Sequence, residues 1–214
     1  MPRVIPPDIV SKLPRAAAVF AKHGFEAAKI DDVSHAIGVP RATLYYYFAG
    51  KEDILAFLLQ SLLGDVAARV GDAVASAGPA VDRLRAVLEA QLEVLGANPQ
   101  TAQLLVANLG RAGRLTDIAS AVDAAFHQPV RTLLAAGAAD GSLRPVNPER
   151  TASAIFGAVV LTGLHEIVVR GNLDSGEVLA DVEALVLGGL ATSVRSEPAG
   201  SLPAGGNARG RRGR

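Results

Sequence analysis

Apolar residues recur along this chain at spacings of three and four, and no stretch alternates apolar with polar as a half-buried strand does. The pattern predicts helices punctuated by Gly and Pro. Ala16, Ala17, Phe20 and Ala21 share a helical face that Gly24 ends. Pro14 interrupts a run that would otherwise reach from Asp8 to His23. Either a preliminary turn lies near Pro7 to Leu13, or the helix starts at Ser11 with Pro14 in its first turn, where a missing N–H is tolerated. Ile30 to Ile37 reads as a short helix with Ile30, Val33 and Ile37 on one side. Gly38 stops it with a residue able to take a positive φ. Pro40 fits the first position of the next helix, whose Leu44 and Phe48 lie four apart on the buried side. Two short helices about a Gly-containing turn make a helix-turn-helix.

From Lys51 the period lengthens. Ile54, Leu55, Leu58, Leu59, Leu62, Leu63, Val66 and Val70 form the stripe of a long helix ending near Gly78. Pro79 opens another, with Val81, Leu84, Val87, Leu88, Leu92 and Leu95 inward and a stop at Gly96 to Pro99. Thr101 to Leu109 is a short helix and Leu115 to Ala139 a longer one, which Pro129 should kink or split. Asp140, Gly141 and Pro145 mark a loop, and Asn147-Pro148 a capped helix start. The last two helices carry apolar residues almost all round. Phe156, Val160, Leu164, Val182, Val186 and Leu190 offer more apolar surface than one subunit's core requires, which predicts a dimer interface.

Composition narrows the class. The 214 residues are half apolar and contain no Cys, which excludes disulfides and thiolate metal sites. MPRVIPPDIV lacks a long apolar run after its charges, and the longest uncharged apolar stretch, Ala152 to Leu164, is too short to span a bilayer. A cytoplasmic protein is expected. The net charge of zero conceals a distribution: residues 1–63 hold seven Lys/Arg against six Asp/Glu, residues 64–194 nine against fourteen, and residues 195–214 five against one. All four lysines, Lys12, Lys22, Lys29 and Lys51, lie in the first segment, as suits a phosphate-facing end joined to a body that should not bind phosphate. After Arg195 the chain turns to Glu, Pro, Ala, Gly, Ser and Arg, a composition expected to remain disordered.

The second short helix holds the most specific chemistry. Tyr45, Tyr46 and Tyr47, the chain's only tyrosines, are consecutive, so they sample most of the helix circumference and cannot all face inward. Arg41 suits a bidentate pair with guanine, while Ala42 and the Thr43 methyl suit a thymine methyl. The tyrosine hydroxyls and Lys51 suit phosphates. Lys29 is a weak N-cap for the helix at Ile30, and losing a Ser/Thr cap costs about 1 kcal/mol, offset in part by Asp31 and Asp32. A lysine at that edge either reaches a phosphate or stays solvent-exposed, as lysines usually are.

VFAKHGF (Val19 to Phe25) together with DDVSHAIGVPRATLYYYFAGKEDIL (Asp31 to Leu55) resembles the DNA-binding signature of the TetR family of bacterial transcriptional regulators. The resemblance lies in Val19-Phe20, Gly24-Phe25, Gly38-Val39, Thr43 to Tyr45, Tyr47-Phe48 and Lys51-Glu52. Lys29 stands where the family usually has Ser or Thr, and Ala42 where Gly is common. About a quarter of the chain carries the resemblance. It implies an all-α fold of about nine helices. Residues 1–50 would be a three-helix DNA-binding domain, 51–195 a ligand-binding and dimerisation domain, and 196–214 a basic tail.

The resemblance also implies a small-molecule pocket among the C-terminal helices. Only Phe57, Phe126 and Phe156 are aromatic beyond Lys51, which favours an aliphatic lipophile over a flat cation needing several ring faces. Candidate pocket residues are Leu58, Leu62, Gln91, Asn108, Arg111, Phe126, His127, Thr162, His165 and Glu166. No metal-ligand spacing joins His23, His35, His127 and His165, and no phosphate loop or nucleophile elbow is present, so neither a cofactor nor enzymatic turnover is expected. The expected function is a homodimeric repressor released from a palindromic operator by a lipophile. The alternative is a helical ligand-binding or interaction protein that no longer reads DNA.

Overall fold

The computed structural model describes residues 4–108 and 116–190, and every regular element among them is a helix. α1 (Pro7–Val10) is a single turn and α2 (Pro14–His23) begins at the proline itself, so the preliminary turn is the arrangement formed. α3 spans Ile30–Ile37 and α4 Arg41–Tyr47. Pro40 is the N-cap of α4 rather than its first residue, with an extended ψ of 140° that turns the chain into the helix. α5 (Lys51–Ala75) ends short of Gly78 because Ser76 is extended, its Oγ donating to the Ala73 carbonyl at 2.7 Å. The Arg83 guanidinium takes the Val74 carbonyl, so two freed carbonyls at the end of α5 are satisfied.

α6 (Ala80–Ala97) and α7 (Pro99–Ala107) precede residues 109–115, which lie outside the described residues together with the expected starts and stops at Leu109 and Leu115. The long helix expected to hold Pro129 is split. It runs as α8 (Thr116–Val122), a π turn (Asp123–His127) and α9 (Gln128–Asp140). The cause is legible in bonding: an ordinary helix would give the Ala125 carbonyl the N–H of residue 129, and proline has none. Gln91 Nε2 of α6 donates to that carbonyl at 3.1 Å. α10 (Pro148–Arg170) starts where the Asn147 side chain accepts the Arg150 N–H at 3.0 Å, and α11 is Ser175–Leu190. Taking α1 as a prelude and α8 with α9 as one broken helix, the described residues form nine helices.

α6 is the axis of the C-terminal part, touching α5, α7, α9, α10 and α11. It is therefore buried on more than one face, at Leu84, Val87, Leu88, Ala90, Leu92, Val94 and Leu95. Both α5 and α7 reach back to α2, and the buried apolar side chains form one continuous cluster from Ile9 to Leu190. α5 and α10 are each long and apolar enough to cross a membrane by length and composition once a few charged residues are admitted, a test that core helices also pass. That run understated α10, which continues past His165 and Glu166 to Arg170.

Candidate nucleic-acid interface and effector region

The α3–α4 pair is built on a short apolar base. Val33, Ile37, Leu44 and Phe48 are buried, and the Phe48 ring meets Phe57 of α5 edge-on at 6.1 Å. Gly38 adopts φ 65°, a left-handed conformation costly for a residue with a side chain, and Ser34 Oγ closes the turn by donating to the Val39 carbonyl at 2.7 Å. The Asp32 carboxylate accepts the Lys29 backbone N–H at 3.2 Å, which satisfies a free donor at the start of α3 without help from the Lys29 side chain.

With Leu44 inward, α4 turns Arg41, Ala42, Tyr45 and Tyr46 to solvent, the two tyrosines 46% and 55% exposed. Thr43 and Tyr47 are half-buried at its edges, and Tyr47 packs on the core and edge-on to Tyr46 at 4.9 Å. Arg41 Nη1 lies 3.0 and 3.1 Å from the two Asp31 oxygens, and Nη2 lies 3.4 Å from Tyr45 Oη. The tyrosine hydroxyl and the carboxylate hold the guanidinium protonated still more firmly than usual. Nothing in the sequence pattern singled out Asp31 as the partner of Arg41, because only the turn at Gly38 brings positions ten apart together.

Lys51 requires a correction. Its ammonium does not reach outward for phosphate; it donates to the backbone carbonyls of Phe25 at 2.8 Å, Glu26 at 2.7 Å and Ala28 at 3.4 Å. It also lies 4.9 Å from the Phe25 ring centroid. An ammonium has three donors, and the turn between α2 and α3 engages them all. Lys51 is thus a clamp between the first residue of α5 and the helix-turn-helix.

The expected effector residues separate into groups. Leu58 and Leu62 of α5 are buried, and α5 packs against the π turn. There Phe126 is buried at 5.2 Å from Phe156, and His127 stacks on the same ring at 4.9 Å. Thr162 is half-buried farther along α10. Gln91 reaches this region, but its amide N–H is committed to Ala125, so its first role is to complete the broken helix. Asn108 does not join the group. Its Nδ2 donates to the Leu104 carbonyl at 2.8 Å, and it lines a separate groove of about 490 Å³ between α7 and the α2–α3 turn. His165 is exposed, and Glu166, whose side chain is mostly buried, pairs with Arg170 at 3.0 Å. Arg111 lies outside the described residues.

Residues 13–57 match the family described as bacterial regulatory proteins, tetR family, and span α2 to the first turns of α5. The segment from α2 into α5 is a tetR-family DNA-binding segment. It is 34% identical over 80 residues to the HTH-type transcriptional repressor KstR2 of Mycobacterium tuberculosis, which covers 37% of this chain and only 40% of that protein. The structure of the ketosteroid transcriptional regulator KstR2 of M. tuberculosis superposes with a TM-score of 0.73 at 23% identity, over 90% of this chain and 98% of that one. The Bacillus subtilis regulator FadR, solved in complex with stearoyl-CoA, gives 0.71 at 20%, over 84% and 98%. At such identities the structural likeness speaks for the fold alone.

The expectation for the last two helices is also corrected. Val160, Val182, Val186 and Leu190 were expected at a dimer interface, yet all four are buried within their own subunit. Phe156 and Leu164 are half-buried. The apolar side chains that face outward are Leu161, Val168 and Val169 of α10, 57%, 63% and 65% exposed, and Leu185 of α11, 74% exposed. Because both helices are apolar around their circumference, periodicity carried no contrast from which to choose the outer face.

Proposed function

We propose that this chain is a homodimeric DNA-binding repressor whose C-terminal helices bind a lipophilic effector. What carries the reading is the outward row Arg41, Ala42, Tyr45 and Tyr46, with Thr43 at its edge, on a helix fixed to the core by Leu44 and Phe48. An arginine with two donor edges, two small side chains and two phenols suit a major groove. Residues 1–50 read double-stranded DNA, with Lys29 and the tyrosines on phosphates, and 51–195 form the effector and dimer domain. The tail, 196–214, lies outside the described residues. A reducing, DNA-containing cytoplasm suits a Cys-free chain of this kind.

The outward residues Leu161 and Val168 of α10 and Leu185 of α11 support dimerisation, and a two-fold axis there would set two copies of α4 on one side. Successive major grooves are roughly 34–36 Å apart, so a small change in spacing removes half the contacts. α5 links the clamp at Lys51 to Leu58 and Leu62, and an effector lodged among Leu58, Leu62, Phe126, His127 and Thr162 swings it. Moving from 99:1 bound to 1:99 takes about 5.5 kcal/mol of preference for the released state, which several buried methylenes at about 0.8 kcal/mol each supply. An acyl chain suits this mostly apolar lining, and FadR of B. subtilis was solved with stearoyl-CoA.

The test selects duplexes from a random pool with the wild-type chain, then titrates salt and acyl compounds. Binding that weakens with salt, loses roughly 1–3 kcal/mol of discrimination in Arg41→Ala or Thr43→Ala, and falls as long acyl compounds raise the melting temperature is expected. Acyl stabilisation without loss of DNA affinity disproves the coupling. Absence of salt-dependent DNA binding disproves the function.

A further inference from the structure

We infer, on the strength of the DNA-reading function proposed above, that Asp31 determines specificity by fixing the orientation of Arg41 and keeping phosphates from competing for it. Arg41 opens α4 and Asp31 lies in the first turn of α3, and the Gly38 turn sets them face to face. Both carboxylate oxygens meet the same nitrogen, Nη1, at 3.0 and 3.1 Å. On the other side Tyr45 offers its hydroxyl at 3.4 Å, and the guanidinium carbon lies 5.3 Å from its ring centroid. The arginine is thus held from two elements at once, one turn along its own helix and one helix away.

An ion pair this open contributes little to folding, since its side chains are 56% and 59% exposed. Its consequence lies in what Arg41 presents. With Nη1 on the carboxylate, a guanine meets the remaining N–H donors, and the ordering of a long side chain is completed before DNA arrives. A phosphate approaching the same guanidinium meets the carboxylate's negative charge. Random DNA, which offers phosphates everywhere but places a guanine opposite Arg41 only by chance, is therefore penalised more than a site that always places one there. Specificity is a difference of affinities, and Asp31 acts on the unwanted one.

The experiment compares wild type, Asp31→Ala, Asp31→Asn, Arg41→Ala and the double variant Asp31→Ala/Arg41→Ala. Each is titrated with a duplex selected by the wild-type chain and with a scrambled duplex of the same length, and its folding is checked by thermal melt. Asp31→Ala is expected to bind the scrambled duplex roughly two- to fivefold tighter, the scale of an exposed charge pair, and the selected duplex no tighter. The ratio of the two affinities narrows. Asp31→Asn, which keeps an acceptor oxygen, retains more of that ratio, and it serves as the reading if the alanine variant melts early. In the Arg41→Ala background, removing Asp31 leaves the ratio unchanged. An unchanged ratio in both Asp31 variants, or equal narrowing with and without Arg41, overturns the role of Asp31 while leaving DNA reading intact. If wild type selects no duplex and binds none in a salt-dependent manner, DNA reading itself falls, and the role of Asp31 with it.

Discussion

α3 with α4 and α10 with α11 are both helix pairs that place side chains at a surface, but they differ in contrast. On α4 the inward residues are Leu44 and Phe48 and the outward ones Arg41, Ala42, Tyr45 and Tyr46, so chemistry and burial agree on which face is which. On α10 and α11 the inward Val160, Val182, Val186 and Leu190 are chemically indistinguishable from the outward Leu161, Val168, Val169 and Leu185. A surface that must meet water and DNA is marked by polar residues. One that is to be covered by another apolar face carries no such mark, and only packing decides it.

The contrast is tested most severely by one charge placed at neighbouring ranks of α11. Asp at Val182, buried in its own subunit, puts an unpaired carboxylate into the core and should destabilise the fold by more than about 3 kcal/mol. Asp at Leu185, 74% exposed, should leave a folded helical subunit and shift the population from dimer to monomer. Circular dichroism melts and light scattering separate the outcomes. A Val182→Asp chain that stays folded while dissociating would return the interface to the inward residues.

How much was legible follows from the same contrast. The breakers Pro14, Gly38, Pro129 and Asn147-Pro148 located helix boundaries to within a few residues, because each acts locally, through its own backbone or, at Asn147, through a side-chain cap. The base of the helix-turn-helix was readable for the same local reasons. Partnerships across the fold were not: Asp31 with Arg41, Lys51 with the carbonyls of Phe25, Glu26 and Ala28, and Gln91 with Ala125 join positions that sequence spacing does not relate. Lys51 misled because a lysine beside a DNA-reading helix suits phosphate as well as it suits a cluster of carbonyls.

Lys51→Ala sharpens that last point. Losing charge-assisted hydrogen bonds to the α2–α3 turn should cost about 1.5–3 kcal/mol, toward the lower end because the side chain is half exposed. Selected and scrambled duplexes should both be bound more weakly, as the recognition helix loses its anchorage to α5. Because no phosphate contact is removed, the salt slope should stay as in wild type, whereas a lost contact would reduce it by about one. A reduced slope with an unchanged melting temperature would restore Lys51 to the phosphates.

Gln91→Leu tests the interior partnership with a smaller expected effect. The Ala125 carbonyl, already deprived of a proline N–H, would lose the Gln91 donor, at about 1–2 kcal/mol. Urea titration should show a lower midpoint at unchanged slope. If an acyl compound then stabilises the variant as much as wild type, Gln91 is structural; if stability holds and the acyl response vanishes, it belongs to the effector.

The smallest effect is expected from two carboxylates held below the usual range. Asp140 is lowered by hydrogen bonding from Ser142 and from the Ala80 N–H, which ties the start of α6 to the end of α9. Asp123 is lowered by Arg131, whose Nη1 and Nη2 donate to its two oxygens at 2.9 Å. A carboxyl whose folded pKa is depressed contributes stability that is complete above its unfolded pKa and lost as pH falls through the folded one. With an unfolded Asp near 3.9, that loss is confined to pH below about 4, and between pH 5 and 8 neither group should change stability. Asp140 is exposed and the Asp123 side chain half exposed, so solvent screening keeps the slope shallow. Melting temperatures measured from pH 7 down to pH 3 should therefore show a decline only at the acid end, and Asp140→Asn should lower stability at pH 7 while flattening that decline. A variant that keeps the full acid slope would show that Asp140 caps α6 equally well with or without its charge.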